Sequence, residues 1–361
     1  MTSKQRVLNA ISRKPVDRIP IFMWFHPETM QRLAEVLEIP AAYVGDAMGN
    51  DVYQTWIGNN FAMEGIEHEH DGERHTDAWG ITWERQNGFN QIATYPLMDA
   101  DAETIKRYAF PHDRIPDLLK SMEALEPFRA THFIGCDVSP CMFELLNRLF
   151  GMECAMLQLA ENSPEIRQFI DTMTDFGIAL SEAGCVQCKP DWLWTGDDVG
   201  GQQGMMLSPA MWREMIRPGM QRIMDVGRRH ALPIAYHSCG AIRPIIPDLI
   251  DMGVTVLNPI QCDCPGMEPT SLKAEFGKHL TFMGGVDTIN LLPRGSVSDV
   301  RHATRALLDT MTAGGGGYIL AASHTIAPET PMDNIFAMYH EAGLSREMIF
   351  DVAAEIRKHG F

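Results

Sequence analysis

Short, wholly apolar runs alternate with longer amphipathic ones along most of this chain. From residue 190 onward the order is regular. "PDWLWTGDD", "LPIAYHSCG", "VTVLNPIQ", "HLTFMGGVD" and "GGYILAASH" read as buried strands, each followed by a segment with helical period. Apolar runs of this length between helices predict parallel strands covered on both faces. Upstream, "RIPIFMWF" (18–25), "NDVYQTWIG" and "RATHFIGCDVSP" supply three more strands, with an amphipathic helix within residues 1–18. About eight strand–helix units over residues 20–355 suit a closed (β/α)₈ TIM barrel, an α/β fold in which 1–361 form one domain. The region 64–95 breaks the alternation. It is polar and turn-rich with short Thr/Trp/Ile pieces, and it predicts an inserted hairpin or meander.

An open doubly wound sheet that binds a dinucleotide would place a glycine-rich turn after its first strand. No such turn occurs. "TAGGGG" (312–317) precedes a strand instead of opening a helix, and reads as a turn at the bottom of the barrel.

Composition narrows the function classes. The 361 residues are 45% hydrophobic and carry a formal net charge of −17, which argues against nucleic acid as a partner. No run approaches 18 apolar residues and the N-terminus lacks a signal-peptide core, so the expectation is a cytoplasmic protein without a membrane span. Eight cysteines are too sparse for a disulfide scaffold, and in a reducing compartment they are free thiols or ligands.

Candidate chemistry collects at predicted strand ends: His26; Cys136 and Asp137; Asp197 and Asp198; His237 and Cys239; Asn258, Gln261 and Cys262; Asp287; Ser323 and His324. In a barrel these face one rim, where active sites are built. His237 and Cys239, two apart, share a face of the chain and offer the nitrogen and sulfur donors that zinc accepts. His324 or Cys262 is the candidate third ligand. Asp198, Asp287 and Asp137 are candidate catalytic carboxylates; His26, Asn258, Gln261 and Trp194 are candidate contacts to substrate or cofactor. Cys185 and Cys188 have ligand spacing but precede a strand, at the opposite rim. His68, His70 and His75 read as a solvated charged loop.

The segments "WTGDDVGGQQGMMLSPAMWREMIRP", "YHSCGAIRPIIPDLIDMGVTVLNPIQ", "LKAEFGKHLTFMGGVDT" and "YILAASHTIAPETPMDNI" resemble the uroporphyrinogen decarboxylase superfamily. Within it the chain is more similar to the cobalamin-dependent zinc methyltransferase branch. That resemblance implies a (β/α)₈ fold with zinc on His237 and Cys239. The branch usually adds a cysteine in a Pro-Gly-Cys-Gly loop after the eighth strand; here "AASHTIAPETP" puts His324 there, leaving His324 and Cys262 as alternatives. The arginine-rich "RQAGRY" segment of the decarboxylases is replaced by "MWFHPETMQRL". The implied activity moves a methyl group between a small O-methyl compound, such as a methoxylated aromatic, and the cobalt of a corrinoid. The alternatives are methyl transfer from methylcobalamin to a thiol, and a decarboxylase-like lyase. No Asp-x-His-x-x-Gly segment occurs, so cobalamin would arrive on a separate small corrinoid protein. Barrels of this size commonly pair, which makes a homodimer the expected assembly.

Overall fold

The computed structural model describes residues 1–58, 68–87 and 89–359. Its main sheet has seven parallel strands in the order β1 (Val52–Trp56), β5 (Phe133–Asp137), β6 (Trp192–Gly196), β7 (Ile234–His237), β8 (Val256–Asn258), β9 (Thr281–Met283) and β10 (Tyr318–Ile319). The intervening β2 (Arg74–Thr76), β3 (Thr82–Gln86) and β4 (Phe89–Thr94) form a separate antiparallel sheet. That sheet is the expected insertion; residues 64–67 and 88 of it lie outside the described residues.

The predicted first strand differs from expectation. Residues 20–26 fill the gap between β10 and β1, yet they make only isolated bridges, Ile21 to Leu320 and Phe25 to Ile326. On the β10 side the bonds are backbone to backbone, with Phe22 N donating to Leu320 O at 3.0 Å and Leu320 N to Pro20 O at 2.8 Å. Toward β1, side chains replace much of the ladder. Asp51 N donates to Ile21 O at 2.7 Å, while the Asp51 carboxylate accepts from Ile21 N at 2.9 Å. Asn50 exchanges two bonds with the Met23 backbone, at 3.1 and 3.2 Å. The apolar pattern therefore locates the eighth stave, but two polar residues fasten it.

Strand residues alternate between two cores. Phe22, Val52, Phe133, Trp192, Trp194, Ala235, Val256, Met283, Ile319 and Ala321 form one cluster inside the ring of strands. Val7 of the N-terminal helix (Ser3–Ile11) belongs to it, so that helix covers the bottom. The opposite faces pack against the surrounding helices in a larger core. The inserted sheet joins this outer core through Trp79, Ile81 and Trp83. Trp79 packs edge-on against Phe176, and the Tyr108 hydroxyl donates to Trp79 O at 2.8 Å.

At the bottom, Arg6 and Arg18 converge on Asp51, whose side chain is fully buried. All four glycines of "GGGG" (314–317) have positive φ, between 75° and 108°, immediately before β10. This is the turn expected there, a backbone form that glycine adopts at little cost.

Candidate metal centre at the strand ends

His237 ends β7 and Asn258 ends the neighbouring β8, and the two residues are in register. The His237 Nδ1–Asn258 Oδ1 distance is 2.6 Å, while Asn258 Nδ2 donates to Met283 O at 3.4 Å. With the amide nitrogen committed to a carbonyl, Asn258 Oδ1 accepts a hydrogen bond from Nδ1–H. The imidazole is thereby set as the Nδ1–H tautomer, with the Nε2 lone pair free.

That lone pair faces two further donors. Nε2 lies 3.6 Å from Cys239 Sγ and 3.6 Å from Asp198 Oδ1. Ligand atoms of Asp198, His237 and Cys239 all lie within 4.8 Å of one another. Asp198 comes from the loop after β6, and its Oδ1 accepts from Cys239 N at 2.9 Å. Two glycines allow the loops to meet. A Cβ on Gly200 would stand 2.4 Å from Cys239 O, and one on Gly240 would stand 2.5 Å from the Gly200 carbonyl carbon. Gly240 also has φ +80°, and its N–H donates to Gln261 Oε1 at 2.7 Å.

A nitrogen lone pair, a thiol and a carboxylate in one partly open group match the donor set of a zinc site with a free position. Burial, then the charges on Asp198 and Glu144, push the Cys239 thiol well above its ordinary pKa. A divalent cation between these groups would reverse that balance, so the residues fit the metal the sequence implies.

The other candidates are distributed around this group. His324 lies outside the group of three, although the charges of His237 and Asp198 act on it. It is only partly open to solvent: its outer edge is exposed, while the protein around the ring, followed by the charge of His237, lowers its pKa. Cys262 directs its thiol to Gly285 O at 3.3 Å and Ile260 O at 3.8 Å, and burial raises it to about 12. Asp287 caps its own turn, accepting from Ile289 N at 2.7 Å and Asn290 N at 3.0 Å. His26 caps the helix Pro27–Leu37 through Nδ1, 3.3 Å from Glu28 N. Asp197 is fully buried and accepts from Phe143 N and Glu144 N at the start of the helix Phe143–Phe150; burial raises its pKa to about 7. Trp194 is almost fully buried, its ring 5.7 Å from Trp24 and 6.1 Å from His237. Trp24 is itself 5.8 Å from His237, so the two indoles floor the group.

Asp137 occupies the same rim across β6. It accepts from Ser139 N at 2.8 Å and from Gln54 Nε2 at 3.2 Å, and burial raises its pKa. Gln54 Oε1 in turn accepts from Trp192 Nε1 at 2.8 Å. Between Asp137 and His237 stands Gly196, where a Cβ would meet Ser139 Oγ at 2.8 Å and His237 Cβ at 3.3 Å. The missing side chain leaves these neighbours in direct proximity.

Sequence reasoning passed over Glu144, Gln54 and Ser139. Gln54 shares the inward parity of Val52, which was a usable signal. Glu144 sits one residue into a helix instead of at a strand end, and its charge acts on both Cys239 and Asp137.

Comparison with known proteins identifies the family. A family model described as Uroporphyrinogen decarboxylase (URO-D) matches residues 61–343. The chain is 22% identical over 351 residues to "Methylcobamide:CoM methyltransferase MtaA" of Methanosarcina barkeri, covering 93% of this chain and 96% of that protein. It is also 22% identical over 350 residues to "Methylcobamide:CoM methyltransferase MtbA" of Methanosarcina mazei, with the same coverage. A solved structure, "methyltransferase from Methanosarcina mazei", superposes with a TM-score of 0.70 at 20% identity, covering 95% of this chain and 98% of that one. The match of that family model to residues 61–343, most of the chain's length, places the chain in the uroporphyrinogen decarboxylase family.

Proposed function

We propose that the chain is a zinc-dependent methyltransferase that passes a methyl group from a corrinoid, carried on a separate small protein, to a small thiol. The observation that carries this reading is the convergence of Asp198, His237 and Cys239 at the mouth of the barrel. The names of the full-length relatives support the methyl-transfer class, and they favour a thiol acceptor over removal of methyl from an O-methyl donor.

His237 Nε2, Cys239 Sγ and Asp198 Oδ1 would hold the metal, which when bound keeps a thiol substrate deprotonated at neutral pH. The protein's share is positional. Asn258 keeps the His237 lone pair aimed at the group, and the Cys239 amide holds Asp198 in place. Trp24 and Trp194 make an apolar floor. His324, at the open side, is a candidate further donor or substrate contact. Overall, the thiol would lose its proton and gain the methyl group as a thioether, while the cobalt–carbon bond of the methylated corrinoid breaks heterolytically and leaves its electron pair on cobalt as cob(I)alamin.

The test is to load the protein with zinc, add methylcob(III)alamin with 2-mercaptoethanol, and follow cobalamin absorbance and thioether mass together. Thioether formation that requires protein and metal supports the reading. Thiol-independent demethylation of a methoxylated aromatic with cob(I)alamin would replace it with transfer in the opposite direction.

A further inference from the structure

We infer that the acceptor is an aromatic thiol, of the aryl or arylmethyl class, and that Trp24 is the residue that selects it. This rests on the thiol reading above. Phe22 and Trp24 of the eighth stave point inward, while Ile21, Met23 and Phe25 join the outer core. Phe22, Trp192 and Trp194 fill the interior and are at most 4% exposed. Trp24 packs on the same cluster but is only partly buried. Strands wall that interior and Val7 of the N-terminal helix closes its lower end, so the uncovered part of the Trp24 indole looks into the mouth.

The indole is fixed by its neighbours. Phe22 stands 5.4 Å away at 82°, Trp194 5.7 Å away at 67°, and the His237 ring 5.8 Å away at 46°. The backbone is held as well, with Ile326 N donating to Trp24 O at 2.9 Å. Trp194 is in register with Ala235, one inward-facing position below His237, so Trp24 reaches from the top layer of the inner core to the metal-binding imidazole. A thiol with its sulfur at Asp198, His237 and Cys239 therefore has this indole beside its first carbons, on the inner side of the group. The corrinoid has to approach from the outer side, over the rim, which leaves Trp24 to meet the acceptor. A fixed indole offers a planar apolar surface at little ordering cost, and an aromatic partner gains beyond the area it buries. A short aliphatic chain would leave most of that surface wet.

The experiment titrates phenylmethanethiol, cyclohexylmethanethiol and 2-mercaptoethanol into the cobalt(II)-substituted protein and reads the visible spectrum, without turnover, correcting for each thiol's own acidity. Phenylmethanethiol should bind about tenfold or more tighter than 2-mercaptoethanol, and about threefold or more tighter than the saturated ring. Trp24→Leu should bring the second ratio down to about one and Trp24→Phe should keep it, with both variants holding as much cobalt as the parent. Phenylmethanethiol no tighter than 2-mercaptoethanol in the unsubstituted protein overturns the inference while leaving the thiol reading intact. No spectral change with any of the three overturns both. An unchanged second ratio in Trp24→Leu, or loss of its cobalt, overturns the assignment to Trp24. The unsubstituted ranking decides the substrate class by itself if a variant fails to fold.

Discussion

Asn258 holds His237: Nδ1–H donates to Oδ1 at 2.6 Å, and the free Nε2 points at Cys239 Sγ and Asp198 Oδ1. A partner that fixes a ligand's tautomer typically contributes 10- to 100-fold in metal affinity. Asn258→Ala should therefore weaken zinc by about that factor while the fold persists. Competition with a chromophoric chelator measures the affinity and circular dichroism the fold. Unchanged affinity would mean that the bond does not orient the ring.

The close packing of the loops after β6 and β7 depends on Gly200 and Gly240. A methyl group at Gly200 would enter the space of Cys239 O and the Ile242 side chain. Gly200→Ala should push Asp198 away from Cys239, lowering zinc affinity more than melting temperature. A variant that loses several degrees of Tm but binds zinc normally would show that the contact is structural alone.

Asp51 is fully buried between Arg6 and Arg18 and also accepts from Ile21 N. Removing one member of a buried ionic group leaves uncompensated charge, at a cost of about 3–5 kcal/mol. Asp51→Ala should lose about that much in urea unfolding, with early proteolysis within residues 1–26. A loss below about 1 kcal/mol would place the closure of the ring in the backbone bridges instead.

Glu341 couples the helices Val297–Thr312 and Met332–Glu341 through Arg301 at 2.6 Å and Arg305. Desolvation of this nearly buried carboxylate acts to raise its pKa, but the two arginines outweigh it and the net shift is downward. A carboxyl with a depressed folded pKa contributes stability that is present above its unfolded value, about 4.3, and is lost as pH falls through the folded one. Glu341→Gln should be less stable than the parent at pH 7. The gap should narrow below about pH 4, as read by thermal unfolding at each pH. A pH-independent gap would assign the loss to packing.

Much of the architecture was legible because buried parallel strands are short apolar runs and the inserted sheet breaks the period with polar residues. "RIPIFMWF" located the eighth stave but not its form, since Asn50 and Asp51, which fasten it, lie 27 and 30 residues from the positions they hold, in an unremarkable turn. The His237–Cys239 pair was readable because alternation places both side chains on one side. Asp198 was recognised as a rim carboxylate. Its contact with the thiol depends on two loops meeting at Gly200 and Gly240, which no local pattern records. Cys262 had the right chemistry and position in the order of strands, yet its thiol is turned to two backbone carbonyls, a direction that no local sequence pattern records. Glu144 escaped notice because a helical residue reaches the rim only through the path of its helix.

The central claim is that Asp198, His237 and Cys239 hold one divalent metal ion. Elemental analysis of the purified protein beside Cys239→Ala, His237→Ala and Cys262→Ala tests it most directly. The account predicts about one zinc per chain in the parent and in Cys262→Ala, and near zero in the other two. Zinc retained at full stoichiometry without Cys239 or His237 would contradict it.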